Sequence, residues 1–448
     1  MNSNFHNKKI VIIGSGFRAM MTAFYCLKES NDVTLLSNTE NIHGVMSPIK
    51  WLGGNFDKGY HFFDGFNEYN KKILEDFVGT ENLNDFGYGA ASYTNKKIYP
   101  YHGIPYWPHK GIFFSLNSLI QYIVLIFSKK KKNIKSYKDL LDTLPSNINK
   151  VLQKACYRNT NIKAEKLSHF VSRYSHFLCY RQTILPDFLS KILKKINFFN
   201  SRIAARRGSL ALDEISLYPK GKYIGYISKI MEEKLIKLGL KFIVSKRNKI
   251  FNDGKNMSID FDGKKINPNF IFIVTELDDA LNLFEEKITE KKNNHFVSQV
   301  LYYFATDKLY SNYQYIHGND TNIYINRATN LSLYGEKTDA NEYVISAEVP
   351  TKTDSEIWKN SEKFKDTIWE ELKLMGIVEK EQNYNNYKIF NIEKTLSVPL
   401  IDFDNSLEKF HNLLKSKYQN KVILPGAGTF TRNIFMESLN SIFKNENR

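Results

Sequence analysis

At 448 residues the chain is long enough to bury two sizeable cores, and its net charge of +16 rests on 63 basic residues of which only eleven are arginine. The lysines are spread along the chain beside abundant Asn and Ile instead of forming a patch, so nucleic acid is not an expected partner, while an anionic small-molecule substrate stays compatible with the charge. Cys26, Cys156 and Cys179 stand far apart with no C-x-x-C pair and no His at ligand spacing, which argues for a reducing compartment and against a metal site.

The opening residues MNSNFHNKK lead straight into an apolar run with no signal segment before it, so the expected location is cytoplasmic. Residues 10–13 read as a strand buried on both faces, residues 17–28 as a helix, and residues 33–36 as a second strand. Between the first strand and the helix, Gly14, Gly16 and Ala19 follow the spacing G-x-G-x-x-G/A, with Ser15, Phe17 and Arg18 in the same loop. Gly14 permits the tight turn, Gly16 lets a pyrophosphate approach the backbone, and Ala19 lets the helix pack on the strand. The helix N-terminus adds free N–H groups and a partial positive charge, so the unit predicts a dinucleotide cofactor. The fingerprint calls for an acid at the end of the second strand to hold the ribose; this chain places Ser37 there, with Asn38 or Glu40 as substitutes. Arg18 reads either as a phosphate contact or as a solvated charge at the helix start.

Residues 41–47 read NIHGVMS and residues 56–63 read FDKGYHFF. A glycine fingerprint, then a glycine-containing turn after the second strand, then a D-x-G-x-H-x-F segment resembles the FAD-dependent family of flavin amine oxidases, protoporphyrinogen oxidases and UDP-galactopyranose mutases. In that family the turn usually carries two glycines; here His43 takes the first place and Gly44 keeps the second. The resemblance implies that Asp57, Gly59 and His61 lie beside the isoalloxazine of FAD. His61 has two readings. It either bonds flavin or substrate and moves a proton, or is a buried His satisfied by backbone.

Residues 99–108 form an aromatic, proline-rich loop that either lines a substrate cleft or caps the sheet. Residues 112–127 are the most apolar run and are followed by Lys129 to Lys132. The run is shorter than the roughly 20 residues needed to span a bilayer. It reads as a core helix in preference to an interfacial one, so peripheral membrane contact is allowed but not favoured. Helical patterns continue over 137–144, 148–156, 164–180 and 186–196. Arg206 and Arg207 are either an exposed basic pair or a grip for a nucleotide-linked substrate.

From about residue 201 the pattern returns to α/β. It gives a helix over 223–238 closed by Gly239, a strand over 241–244, a hairpin of 248–251 with 257–261, and a buried strand over 270–274. Residues 297–304, 313–325 and 343–349 read as an antiparallel sheet roofing the active site, with Tyr324 and Arg327 as candidate catalytic residues beside His61. A helix is expected over 356–375. Near the C-terminus a strand over 422–424 runs into Gly426 and Gly428, and a helix follows. The resemblance implies that this turn closes the flavin site, with Phe435 and Met436 beside the cofactor.

The expected fold is α/β: a Rossmann-type FAD-binding domain built from residues 1–90, 205–290 and 391–448, and a mixed helical and antiparallel-sheet substrate domain from 91–204 and 291–390. The leading expectation is an FAD-dependent oxidoreductase acting on a small organic substrate through flavin N5. Two alternatives accompany it: a flavin-dependent nucleotide-sugar mutase, and a non-catalytic binding protein like the GDP-dissociation inhibitors.

Overall fold

The computed structural model describes residues 5–86, 89–99, 112–127, 134–171, 192, 196, 215–253, 256–285, 292–426 and 432–444. The strand β1 (Lys9–Ile13), the helix α1 (Gly16–Lys28) and the strand β2 (Asp32–Ser37) form the opening βαβ unit. They belong to a five-stranded parallel sheet in the order Lys241–Val244, β2, β1, Phe270–Ile273, Val422–Ile423. Ile10 to Ile12 are fully buried because helices cover one face and a small antiparallel sheet the other, which is why β1 is a continuous apolar run with no alternation.

On the first face α1 packs against the helices Ile224–Lys237 and Arg432–Lys444, pooling Ala19, Met20, Ile227, Met231, Phe435 and Met436 in one core. On the second, the strands Asn248–Asn252, Met257–Phe261 and Lys264–Ile266 and the helix Phe403–Tyr418 bury Ile250, Ile259 and Phe410. Gly239, at φ +96°, ends the Ile224–Lys237 helix as the sequence predicts.

The roof is a seven-stranded sheet in the order Asn386–Pro399, Asn294–Thr306, Tyr343–Thr351, Arg327–Asn330, Tyr315–Gly318, Ala90–Thr94, Lys97–Tyr99. The Tyr315–Gly318 strand runs parallel to Ala90–Thr94; the other pairs are antiparallel. Three expectations differ from it. The strand expected over 313–325 stops at Gly318 and gives way to a loop, which Arg158 pins by donating to the Asp320 and Ile325 carbonyls. The helix expected over 356–375 is broken into Glu356–Lys359, a 3-10 turn Ser361–Phe364 and Lys365–Leu374. The described part of the helix expected over 164–180 is a 3-10 turn, Ala164–Lys166, followed by bridges from Leu167 and Ser168. There Ala164, Leu167 and Val171 all reach the same apolar cluster, so helical apolar spacing alone did not decide the backbone.

Residues 112–127 do form a helix, Ile112–Phe127, and no helix among the described residues is long and apolar enough to cross a membrane. Its packed side meets the helix Ser146–Thr160, where Asn147 Nδ2 donates to the Phe114 carbonyl at 3.0 Å and to Ser118 Oγ at 2.7 Å. It is not a core helix all round: Phe113, Leu116, Ile120, Ile123 and Val124 make a solvent-facing ridge, with exposures from 49% to 85%. The 100–108 part of the aromatic loop, Lys129 to Lys132, Cys179, Arg206, Arg207 and Gly428 lie outside the described residues. Cys26 and Cys156 are buried free thiols.

Candidate cofactor and active site

The βαβ loop is a backbone cradle. Gly14 sits at φ +140°, and a Cβ placed on it would lie 2.6 Å from Val274 Cγ2. Gly16 (φ +75°) donates its N–H to the Ile42 carbonyl at 2.6 Å, and a Cβ on Gly44 (φ +60°) would lie 3.0 Å from Gly16 Cα. The two glycine loops therefore touch backbone to backbone, with no side chain between them. Ser15 stands at the N-cap of α1 in extended conformation; it makes no side-chain cap bond, and no acid lies in the first turn. The positive end of α1 thus carries no capping side chain. Beside it, Thr275 Oγ1 is buried without a hydrogen-bond partner, at the end of the strand that crowds Gly14. Arg18 pairs with Glu276 at 3.8 Å and lies 5.7 Å from the Phe435 ring centroid, so its charge is directed to protein groups.

The end of β2 is built differently from the fingerprint. Ser37 is buried, its hydroxyl shared with Thr39 Oγ1 at 2.9 Å, while Asn38 and Glu40 are exposed. His43, where a glycine would be expected, turns toward the Ile224–Lys237 helix: Nδ1 is 2.6 Å from Ser228 Oγ and Nε2 is 2.9 Å from Glu232 Oε2. Its side chain therefore leaves the Gly16–Gly44 contact open, which explains how this turn tolerates losing one glycine.

The Asp57 to Phe63 segment is clamped between the two sheets. Asp57 Oδ2 accepts from the Tyr218 hydroxyl at 2.6 Å, and Oδ1 accepts from the Ile224 N–H at 2.8 Å, so the carboxyl caps a helix. Its backbone carbonyl accepts from Tyr303 Oη at 2.9 Å. Gly59, at φ +85°, has no room for a side chain, since a Cβ would lie 2.7 Å from Glu348 Oε1. That oxygen accepts the Tyr60 N–H at 3.0 Å, and Glu348 also holds Arg327 through two bonds of 2.8 and 2.6 Å. The Arg327 guanidinium lies 4.8 Å from the Tyr60 ring centroid. Arg432, at the start of the last helix, donates to the Phe62 carbonyl and lies 5.1 Å from the Phe63 ring centroid.

Burial moves two groups here in opposite senses. Burial pushes the Asp57 carboxyl up to about 7, against the pull of the Tyr218 and Ile224 hydrogen bonds. Burial, with Arg432 and Arg327 nearby, holds the His61 imidazole down at about 3, so it is neutral at physiological pH while bonded to the Lys58 backbone. A raised carboxyl gives stability that is full below its unfolded value and is lost as pH rises to about 7. A depressed imidazole gives stability that is present above its unfolded value and is lost as pH falls toward about 3. The two oppose each other in mildly acidic solution. Asp57→Asn isolates one of them: its stability relative to wild type, from urea unfolding, is expected to rise as the pH goes from ~5 to ~8. An unchanged difference would mean that Asp57 ionises normally.

Of the three candidate catalytic residues, His61 and Arg327 come together around Tyr60. Tyr324 does not join them. It is 45% exposed, its N–H donates to Glu371, and its ring packs on Phe364. Phe435 and Met436 are wholly buried in the helix-side core, and the Gly426 N–H donates to Ser438 Oγ at 2.9 Å. Glu348 and Tyr303 were not apparent from sequence as site residues. The available signal was a lone Glu inside the apolar strand Tyr343–Thr351, since a buried acid needs a partner.

No family model matches the sequence, and no curated protein matches it. Solved structures match nearly end to end. A reduced UDP-galactopyranose mutase aligns over 98% of this chain and 94% of its own, at 15% identity and a TM-score of 0.74. A CLA-producing fatty acid isomerase from P. acnes aligns over 100% of both chains, at 11% identity and a TM-score of 0.61. A double mutant of putrescine oxidase aligns over 98% of both chains, at 10% identity and a TM-score of 0.59. The chain shares the fold of these structures. At these identities the likeness is one of fold, and within that fold the parallel sheet carries the glycine cradle while the seven-stranded sheet carries Arg327 and Glu348.

Proposed function

We propose that the chain is an FAD-dependent flavoenzyme and, within that class, an oxidoreductase passing a hydride or an electron between a small organic substrate and FAD. The observation that carries the first step is the cradle of Gly14, Gly16 and Gly44 around an uncapped helix N-terminus, with the unpartnered Thr275 hydroxyl beside it. These groups fit a pyrophosphate, which takes N–H donors and small residues. Ser37 and its neighbours would hold the ribose through hydroxyl and amide groups, since no acid stands at that place.

Bound FAD would supply the redox chemistry, and the chain's own groups would bind, orient and shield. Neutral His61 would act as a fixed donor to the Lys58 carbonyl, not as a proton carrier near neutral pH. Arg432 would keep positive charge at the Phe62–Phe63 end of the site, where it favours an anionic ring. The redox reading is favoured over a mutase acting on a nucleotide sugar because Arg327 is spent on Glu348 and does not offer its fork to a diphosphate.

Purified protein is expected to be yellow, or to become so on adding FAD, and to bleach when substrate is added without air. Colourless protein that takes up no FAD overturns the flavoenzyme reading and favours a binding module. Turnover of UDP-sugars by dithionite-reduced protein without net oxidation overturns the redox reading alone. Gly44→Ala, which wedges a methyl against Gly16, is expected to weaken FAD binding about tenfold in a fluorescence titration.

A further inference from the structure

A polar cavity, of about 230 Å³, lies between the helix Ser146–Thr160 and the loop that follows the Tyr315–Gly318 strand. From the helix it is lined by Lys150, Lys154, Arg158 and Asn159; from the sheet side by Thr94, Asn319 and Asp320 among others. Lys150, Lys154 and Arg158 follow at intervals of four and so share one helix face, where like charges repel. Neither lysine has an ion pair among the described residues. Asp320 is the carboxylate in the lining, and it accepts the Asn95 and Lys96 N–H groups at 2.7 and 3.1 Å. Glu371 acts on Arg158 as a second carboxylate beside Asp320, so the excess positive charge at the cavity comes from Lys150 and Lys154.

Two buried atoms in this lining have no hydrogen-bond partner: Arg158 Nε and Asn159 Oδ1. The Asn159 side chain is only 8% exposed, and its neighbour Arg158 stays cationic although burial lowers it to about 10. A buried amide oxygen left unpaired is costly, and Lys150 and Lys154 have no carboxylate partner among the described residues, whereas Arg158 faces Glu371 and Asp320; one ligand would serve both the oxygen and the lysines. That ligand must carry an anion for Lys150 and Lys154, and hydroxyl donors for Asn159 Oδ1. The cavity is smaller than those that usually hold drug-sized ligands, about 300 Å³ and upward, which suits one phosphorylated sugar and not a dinucleotide.

We infer that this cavity binds a sugar phosphate, the phosphate on the lysine face and the sugar hydroxyls toward Asn159. None of the glycine-cradle residues lines it, so the inference stands whether or not the chain binds FAD.

The test is calorimetric titration of the full chain with glucose 6-phosphate, inorganic phosphate and glucose. Saturable one-to-one binding is expected for glucose 6-phosphate at millimolar concentrations or below, with inorganic phosphate weaker and glucose weaker still. Lys154→Glu, at an exposed position where folding is preserved, is expected to weaken both phosphate ligands by about tenfold or more. Asn159→Ala is expected to weaken glucose 6-phosphate while leaving inorganic phosphate unchanged, a split that mere loss of structure would not produce. No saturable binding, equal binding of inorganic phosphate and glucose 6-phosphate, or indifference to Lys154→Glu each overturn the inference.

Discussion

Glu348→Ala is expected to destabilise the chain by about 3–5 kcal/mol in urea unfolding, the size of loss that follows when one partner of a buried ion pair is removed. Glu348 is 3% exposed and holds Arg327 through both carboxylate oxygens. Without it the guanidinium is left in a site where burial by itself lowers its pKa and Glu348 restores it. The same truncation frees the Tyr60 N–H and opens space over Gly59. The Asp57 to Phe63 segment then loses an anchor to the roof, so affinity for FAD should fall along with stability. Replacing both partners with apolar residues, as in Arg327→Met with Glu348→Leu, is expected to recover much of the stability but not the position of Tyr60. A loss below about 1 kcal/mol for Glu348→Ala would show that Arg327 finds another partner or water.

Gly14→Val is expected to abolish FAD binding, with affinity down by at least about a hundredfold. Two costs combine. A β-branched residue at φ +140° is strained, and its Cβ would be 2.6 Å from Val274 Cγ2. The loop can relieve both only by moving away from the Phe270–Ile273 strand, which displaces the α1 N-terminus and its N–H donors. Part of any observed loss could come from destabilisation alone, of about 2–4 kcal/mol. Gly239→Ala separates the two effects. It strains the backbone at φ +96° in open space far along the chain from the cradle, so it should lower stability while leaving the FAD titration unchanged. If Gly14→Val binds FAD as wild type does, the cofactor is not held by this loop.

The parallel sheet was readable because its signals are local. A strand buried on both faces is a continuous apolar run, and a turn with positive φ needs glycine, so β1, Gly14 and Gly16 announce themselves within a few residues. The roof was readable in part: the long strands Asn294–Thr306 and Tyr343–Thr351 alternate or run apolar for many residues, whereas the short Tyr315–Gly318 strand stops where Arg158 captures the loop. Arg158 is far away in sequence, so no window around residue 318 contains the reason. Tyr324 shows the same limit. Three residues from Arg327 in sequence, it belongs to that loop and faces Phe364 and solvent instead of Tyr60.

By itself the sequence determined the βαβ unit with its glycine turn and the glycine that ends the Ile224–Lys237 helix, because each depends on φ or on apolar spacing at neighbouring positions. Only the tertiary structure decided what the site residues do. It turned Asp57 into a helix cap with a raised pKa, held His61 neutral between two arginines and locked Arg327 onto Glu348. It also gathered Lys150, Lys154, Arg158 and Asn159 against a loop more than 150 residues away. Charge and desolvation depend on everything within a few ångströms, whatever its place in the chain, and that neighbourhood exists only after folding.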